Sequence, residues 1–284
     1  MILPHETLVR QKICIDFASL KHACPRGIYL TPVSSEPLTW IGVLFLKKGP
    51  YANAVLRFRV AFPEDYPQRP PVITFLSDVF HPMVTPLTTY THTTRDPGTE
   101  TVSSGDEGRL PPGGFSLRHG FPEWFESSTS VSNADADSTR SGAMRVPHIV
   151  EVLQYLRVAF DTEAVLDSVP LEVAANSGAW HAWRTSRSRT LNGRKSPSTQ
   201  GSRGTSIAST ERSTSPRQQP GGARRPGEWN WQGVWEDRVR KSIQASISEA
   251  ALFGADGHDL INFLKMDEEA LERVVPTGST QSAV

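Results

Sequence analysis

The side chains best suited to chemistry in this sequence are the histidine of the tripeptide His81-Pro82-Met83 and the two cysteines, Cys14 and Cys24. A thiolate is a strong nucleophile and a histidine can transfer a proton near neutral pH, so together they would allow covalent group transfer. No cysteine follows Cys24, so His81 has no thiol near it along the chain. We predict no catalytic residue. We interpret His81 as a structural side chain that bonds backbone groups in a proline turn, the alternative being a relic of a catalytic site.

The composition also bears on metal sites, nucleic-acid binding and membrane spans. The eight histidines form no pair at metal-binding spacing with acidic or thiol partners, and two cysteines cannot make a disulfide framework or a four-cysteine zinc site. We predict no metal and no cofactor. The formal net charge of +0 gives no overall attraction to nucleic acid, and the longest apolar run, at 40–46, is too short to span a bilayer. The expectation is a soluble cytosolic protein.

The chain begins with a predicted helix over 5–22. Leu8, Ile15 and Leu20 recur at roughly helical spacing, and the turn residues at 25–27 end the pattern. Cys14 falls inside this helix and is expected to be a small core or boundary residue.

Strands follow the helix. Their predicted ranges are 39–47, 54–62 and 71–76. The middle one alternates, with Leu56, Phe58, Val60 and Phe62 on one face and arginines on the other. This pattern is typical of a strand in a half-buried sheet.

A loop-rich insertion is predicted over 88–145. Its two blocks, 88–113 and 127–145, are mostly Thr, Ser, Gly, Asp and Pro, which bury too little apolar area to offset the entropy of ordering. Between them an aromatic island is expected to return to the core; its apolar residues are Phe115, Leu117, Phe121, Trp124 and Phe125.

Helical spacing resumes at 147–160, with Pro147 in the predicted first turn and a buried stripe of Ile149, Leu153, Leu156 and Phe160. A second helix is predicted from Pro170 to about Thr190. The core thus covers 1–190, and 191–227, rich in Ser, Arg, Gly and Pro, is a predicted disordered basic linker. An ordered helical tail is expected over 228–275.

The order of these elements resembles the ubiquitin-conjugating-enzyme fold. The most specific part of the resemblance is the string FPEDYPQRPPVITF at 62–75 followed by His81-Pro82, in order with WIGVLFLKKGPYANAVLRFRV at 40–60. It implies an α+β fold with an N-terminal helix, a four-stranded antiparallel meander and C-terminal helices. The residues carried over as structural members of the family motif are Tyr66, Pro67, Pro70, Pro71, His81 and Pro82.

Two departures from that family indicate an inactive variant. Met83 stands where the family has an asparagine whose amide stabilises an oxyanion, a contribution of about 3 kcal/mol to such barriers. No cysteine is available for the ubiquitin thioester after Cys24, which lies at the end of the first helix. Among such variants the chain resembles the Akt-interacting (Fused Toes) family, through VFHPMV, the PHIVEVLQYLRVAF helix, VPLEVAAN and WNWQGVWEDRVRKSI.

This second resemblance implies a function in transport. The expected role is an adaptor subunit that binds a Hook-type coiled-coil protein and an FHIP-type protein and links endosomes or vesicles to microtubule motors. The expected location is cytoplasmic, on endosomes and vesicles through partners, with only indirect membrane association. The alternative is a ubiquitin-binding variant that assists an active conjugating enzyme or sorts ubiquitinated cargo. No nucleic-acid partner is predicted, because no aromatic residues interrupt the basic linker for base stacking.

The tail supplies the candidate partner-binding residues. Four apolar residues recur every four positions, which places them within one helical stripe: Trp235, Val239, Ile243 and Ile247. Such a stripe either folds back on the core near Trp180 and Trp183 or packs against a partner's helix, and both alternatives stay open. The candidates are Trp229, Trp231, Trp235, Val239, Ile243 and Ile247.

Overall fold

The structure, a computed structural model, describes residues 5–87, 110–126, 146–193, 229–254, 261, 263, 265–267 and 273. Most of the predicted insertion and almost all of the predicted linker lie outside these residues.

The first helix, α1, runs over His5–Ala23 and packs against the sheet through Val9, Ile13 and Leu20. The predicted stripe is therefore wrong for two of its members, since Leu8 is 48% and Ile15 is 56% exposed. The expectation for Cys14 is also wrong, because that residue is exposed. The buried face includes a charged residue, Asp16, which a search for apolar periodicity passes over.

The sheet is an antiparallel meander in which each strand pairs with the next, in the order β1-β2-β3-β4-β5. Its first four strands confirm the predicted four-stranded meander, and a two-residue fifth strand extends it. The strands are β1 (Ile28–Pro32), β2 (Thr39–Phe45), β3 (Val55–Ala61), β4 (Val72–Phe75) and β5 (Gly114–Phe115).

The alternation predicted for β3 is present, with Leu56, Phe58 and Val60 buried towards the helices. The neighbouring strand β2 is buried along both faces. At its centre Gly42 makes room for a ring, because a Cβ at that position would lie 2.5 Å from Phe58 Cζ.

The aromatic island returns to the core as predicted. It forms β5 and the short helix α2 (Glu123–Glu126), and it buries Phe115, Leu117, Phe121 and Trp124. Phe125 is partly buried against the same core.

Helix α3 spans Ile149–Asp161, and the four residues of its predicted stripe are fully buried. It begins later than predicted, because the His148 side chain is the N-cap and accepts the N–H of Val150, which leaves Pro147 before the helix.

The predicted start of the second C-terminal helix, at Pro170, is wrong. Two short elements precede it, α4 (Glu163–Ser168) and a 3₁₀ turn (Leu171–Val173), and the long helix α5 covers Ser177–Gly193. The Asn176 side chain accepts the N–H of Ala179 at the start of α5.

The tail forms α6 (Val234–Ser246) and α7 (Glu249–Phe253). Beyond α7, the described residues 261, 263 and 265–267 are irregular. Helix α6 lies against α5 and the start of β3, so the tail folds back on the core.

Candidate functional site

The His-Pro-Met turn is fixed from inside by its histidine. The His81 Nδ1 accepts the N–H of Met83 at 3.0 Å, so the proton lies on Nε2, which donates to the Ala159 carbonyl of α3 at 3.2 Å. The ring is fully buried and stacks on Phe160 with centroids 4.4 Å apart. Burial lowers the His81 pKa to about 4, against the opposing effect of the Ala159 bond. The ring is therefore neutral at pH 7 and ties the turn to α3.

The next two residues of the turn are also held by the fold. The Pro82 carbonyl accepts the N–H of Asn176, just before α5. Met83 is fully buried, and its sulfur lies 3.2 Å from the Tyr155 hydroxyl. A thioether donates no hydrogen bond, and here it points into the core, so Met83 offers nothing to a developing oxyanion.

The Tyr155 hydroxyl begins a short polar chain beside the turn. It lies 2.6 Å from His119 Nδ1, and His119 Nε2 lies 3.2 Å from the Ser168 oxygen. The Ser168 hydroxyl donates to the Val165 carbonyl and the Tyr155 hydroxyl donates to the Met83 sulfur, so both hydroxyl hydrogens are bonded to acceptors other than His119. Burial raises the Tyr155 pKa well above its ordinary value. The Ser168 hydrogen is thus bonded to a carbonyl, and these three side chains supply no activated nucleophile.

Ser116 contacts the turn and was not indicated by the sequence. It follows β5, it is buried, and its N–H donates to the Met83 carbonyl at 2.7 Å. The signal available in the sequence was the aromatic island, which fixed the return of this segment but not its register. The two cysteines lie elsewhere, on α1 and immediately after it.

The tyrosine of the proline motif is held by a buried carboxylate. The Tyr66 hydroxyl donates to Asp16 at 2.8 Å, and burial, the bond and the charge of Asp16 all raise the Tyr66 pKa. Asp16 also accepts from Lys12 at 2.5 Å and from His148 Nε2 at 3.0 Å. One carboxylate therefore joins α1, the proline motif and the N-terminus of α3.

Two of the motif's prolines line a surface cavity, and a third is held beside it. The Tyr66–Pro67 peptide bond is cis, and the Pro67 carbonyl accepts the Trp124 indole N–H at 3.2 Å. Pro70 and Pro71 line a cavity of about 400 Å³ together with Ser116 and Trp124.

The candidate partner-binding residues of the tail divide into two groups. Trp235 and Val239 are each 4% exposed and pack into the core, so they are not free to contact a partner. Trp235 lies against Tyr51, Phe80 and Trp183.

The other four candidates remain at least partly accessible. Trp229 is 54% and Ile247 is 43% exposed, while Trp231 and Ile243 are partly buried. Trp229 stacks on Trp231, which in turn stacks on His181 of α5.

Two serines of α6 tie the tail to the sheet. The Ser242 hydroxyl accepts the N–H of Phe80 at 3.3 Å, and the Ser246 hydroxyl accepts the N–H of Val55 at 3.2 Å. Both serines are buried. The tail thus satisfies two backbone donors of the core, one at the start of β3 and one just before the His-Pro-Met turn.

Between α5 and α6 lies an open cavity of about 480 Å³, which we call the α5–α6 groove. Its lining combines apolar and charged side chains; they include Trp183, Trp235, Ile243, Arg187, Arg240, Glu163 and Glu236.

No three His, Cys, Asp or Glu side chains are grouped to hold a metal ion within the described residues. In the same part of the chain no helix has the length and apolarity needed to cross a membrane.

Comparison with known proteins agrees with this geometry. Residues 12–89 match the family model described as "Ubiquitin-conjugating enzyme". A protein of Anopheles gambiae named "Protein crossbronx homolog" is 41% identical over 81 residues, or 28% of this chain and 36% of that protein. "Protein crossbronx" of Drosophila mojavensis is 28% identical over 151 residues, or 52% and 44%. "Ubiquitin-conjugating enzyme E2 2" of Yarrowia lipolytica is 33% identical over 79 residues, or 28% and 52%.

The fold and the turn define a domain of the ubiquitin-conjugating-enzyme class. The similarity to the crossbronx proteins supports the predicted resemblance to a variant family of that domain. The matched segments span about a third to a half of the length of these curated relatives.

Proposed function

We propose that this chain is a non-catalytic adaptor subunit that binds a Hook-type coiled-coil protein and an FHIP-type protein and so links endosomes or vesicles to microtubule motors. The absence of catalysis is supported by the arrangement at the His-Pro-Met turn. There Ser116 donates its N–H to the Met83 carbonyl, the buried sulfur of Met83 lies against Tyr155, and both cysteines lie elsewhere, on α1 and just after it. A ubiquitin thioester requires a thiolate at such a site.

The adaptor part rests on the sequence resemblance to the Fused Toes family and on the tail. A helix that packs on the domain after a long connecting segment gives the chain a surface that a conjugating domain alone would not have. Part of the candidate stripe, Ile243 and Ile247, stays accessible on that helix.

The test is reconstitution of the purified full chain with the coiled-coil region of a Hook-type protein and an FHIP-type protein. We expect all three to co-elute in size-exclusion chromatography. A conjugating enzyme with its catalytic cysteine replaced by serine is the control for non-specific binding by the fold. Failure to co-elute, together with saturable binding in a ubiquitin titration, would favour the ubiquitin-binding alternative.

A further inference from the structure

The outer face of the sheet, opposite the face that packs on the main core, is also buried at its centre. Ile41 and Val43 of β2 are buried, yet they do not belong to the main cluster of core residues. Val43 pairs with Arg57 of β3, and directly paired residues lie on the same face of a sheet. Something other than the main core therefore covers this side of β2.

The end of the tail supplies this cover. The Phe263 ring lies 6.0 Å from the Phe45 ring, between centroids, and its centroid lies 5.2 Å from the guanidinium carbon of Arg57. The same guanidinium donates to the Leu252 carbonyl of α7 at 2.8 Å. We call these parts of the tail, which lie across β2 and β3, the tail strap; it consists of α7 and the described residues 261, 263 and 265–267.

The tail strap buries little apolar area. Its ion pair between Lys265 and Glu249 joins two parts of the strap to each other, and because both side chains are well exposed the pair contributes little to stability. Phe253 and Met266 are exposed as well. Segments with little buried apolar area open locally at a lower free energy than the core of a domain. We therefore expect the strap to open more readily than the sheet.

Arg57 is poorly served by the closed strap. Its Nε is buried and has no hydrogen-bond acceptor among the described residues, and burial lowers the Arg57 pKa. No carboxylate in the described part of the chain pairs with it, whereas Arg59, on the same face of β3, pairs with Glu36. Strands β1 to β4 contain these two arginines and no acidic residue. The covered face is thus apolar and positively charged, and one of its cations lacks a counter-charge there.

We propose that the tail strap opens without unfolding of the domain, and that the sheet face beneath it then binds a partner segment that carries apolar side chains and a carboxylate. The apolar side chains would take the place of Phe263 against Phe45. The carboxylate would pair with Arg57, to which the strap offers a carbonyl and a ring. The closed strap excludes such a partner. The proposal goes beyond the proposed function, since it requires neither the Hook-type nor the FHIP-type protein.

Opening is tested with two valine-to-cysteine variants of the full-length chain, in which Cys14→Ser and Cys24→Ala remove the native thiols. Val43→Cys lies beneath the strap, and Val60→Cys is the matched control because Val60 faces the main core. Labelling by Ellman's reagent is followed without denaturant. We expect the Val43→Cys variant to react about tenfold faster than the control. Equal rates would mean that the outer face opens only with the whole domain and would overturn the strap.

Phe263→Ala tests whether the strap is what limits this labelling. It should raise the rate of the Val43→Cys variant by about tenfold, because it removes two ring contacts. The rate of the Val60→Cys variant should not change. Met266→Ala, at an exposed position of the strap, is the control and should leave both rates unaltered. If Phe263→Ala changes neither rate, or both equally, the strap does not cover the face.

The charge preference of the uncovered face is tested with anilinonaphthalene sulfonate, an aromatic anion whose fluorescence rises on apolar surfaces. We expect stronger dye fluorescence with Phe263→Ala than with the wild type, and loss of this gain when Arg57→Gln is added. Arg59→Gln, added instead, changes an exposed arginine of the same strand and should keep the gain. A gain that survives Arg57→Gln would reject the carboxylate-bearing partner. No gain with Phe263→Ala would reject the face as a binding surface.

Discussion

Trp183 in α5 and Trp235 in α6 lie with their ring centroids 4.9 Å apart, although the undescribed segment 194–228 separates the two helices in sequence. Both side chains are 4% exposed. Trp235 also lies 5.9 Å from Tyr51 and 6.1 Å from Phe80, measured between ring centroids. The tail helix is therefore a part of the hydrophobic core of the conjugating-type domain.

We expect Trp235→Ala to lower the free energy of unfolding by about 3–5 kcal/mol, because it leaves a cavity among Tyr51, Phe80 and Trp183. Urea denaturation followed by circular dichroism measures the loss. Trp229→Ala, at a position that is 54% exposed, is the control and should change stability far less. Equal losses for the two variants would mean that α6 does not belong to the core.

We expect Ser242→Ala to cost about 1–3 kcal/mol, because the buried N–H of Phe80 would lose its acceptor. The same denaturation experiment applies. Ser188→Ala is a suitable control, since that exposed serine only bonds back to the Arg184 carbonyl of its own helix. If Ser242→Ala is as stable as the wild type, water replaces the hydroxyl and the tie between α6 and the turn is weak.

Stability should fall between pH 7 and pH 5 through His81. Its pKa is about 4 in the folded protein against 6.5 for an ordinary histidine, so the unfolded chain binds more protons in this window. The contribution is full above pH 6.5 and is lost as the pH falls towards 4. The expected loss from pH 7 to pH 5 is about 2 kcal/mol.

The control for this pH dependence is His81→Asn, measured by urea denaturation at both pH values. The variant is expected to be less stable at pH 7, but its stability should change less between the two. An unchanged difference between pH 7 and pH 5 would assign the titration to other groups.

We predict that the chain forms no ubiquitin thioester. The Cys24 thiol donates to the Ile28 carbonyl, and burial raises its pKa, so little thiolate is available there. The measurement is incubation with ubiquitin, activating enzyme and ATP, followed by a non-reducing gel. A band that disappears with thiol, and that is absent from Cys24→Ala, would contradict the non-catalytic assignment.

Period-two alternation made β3 predictable, because only one face of that strand meets the helices. Helical spacing was a poorer guide in α1, where apolar residues occur on more than one side. There Asp16, bound to Tyr66 and His148 from distant parts of the chain, helps to decide which face is buried. Contacts of that kind depend on the tertiary fold and leave no periodic signal.

The same limit applies to the candidate site. The sequence showed that His81 had no thiol near it, but its partner Ala159 lies on a helix far along the chain. The tail stripe was recognisable from its spacing, yet its division into covered Trp235 and accessible Ile247 depends on the shape of the core. Periodicity identifies an apolar stripe, but it does not show which residues of the stripe the core buries and which stay exposed.

The segment 88–109 leaves and re-enters the fold at one place. The Thr85 N–H donates to the Gly114 carbonyl, and the Gly113 N–H donates to the Thr85 carbonyl, both at 3.0 Å. These bonds clamp the two ends of the segment whatever its length. Since doubling a loop costs only about 0.6 kcal/mol in closure entropy, the fold tolerates large changes in length there. We therefore expect a folded domain inserted between these two ends to leave the strand pairing of the sheet intact.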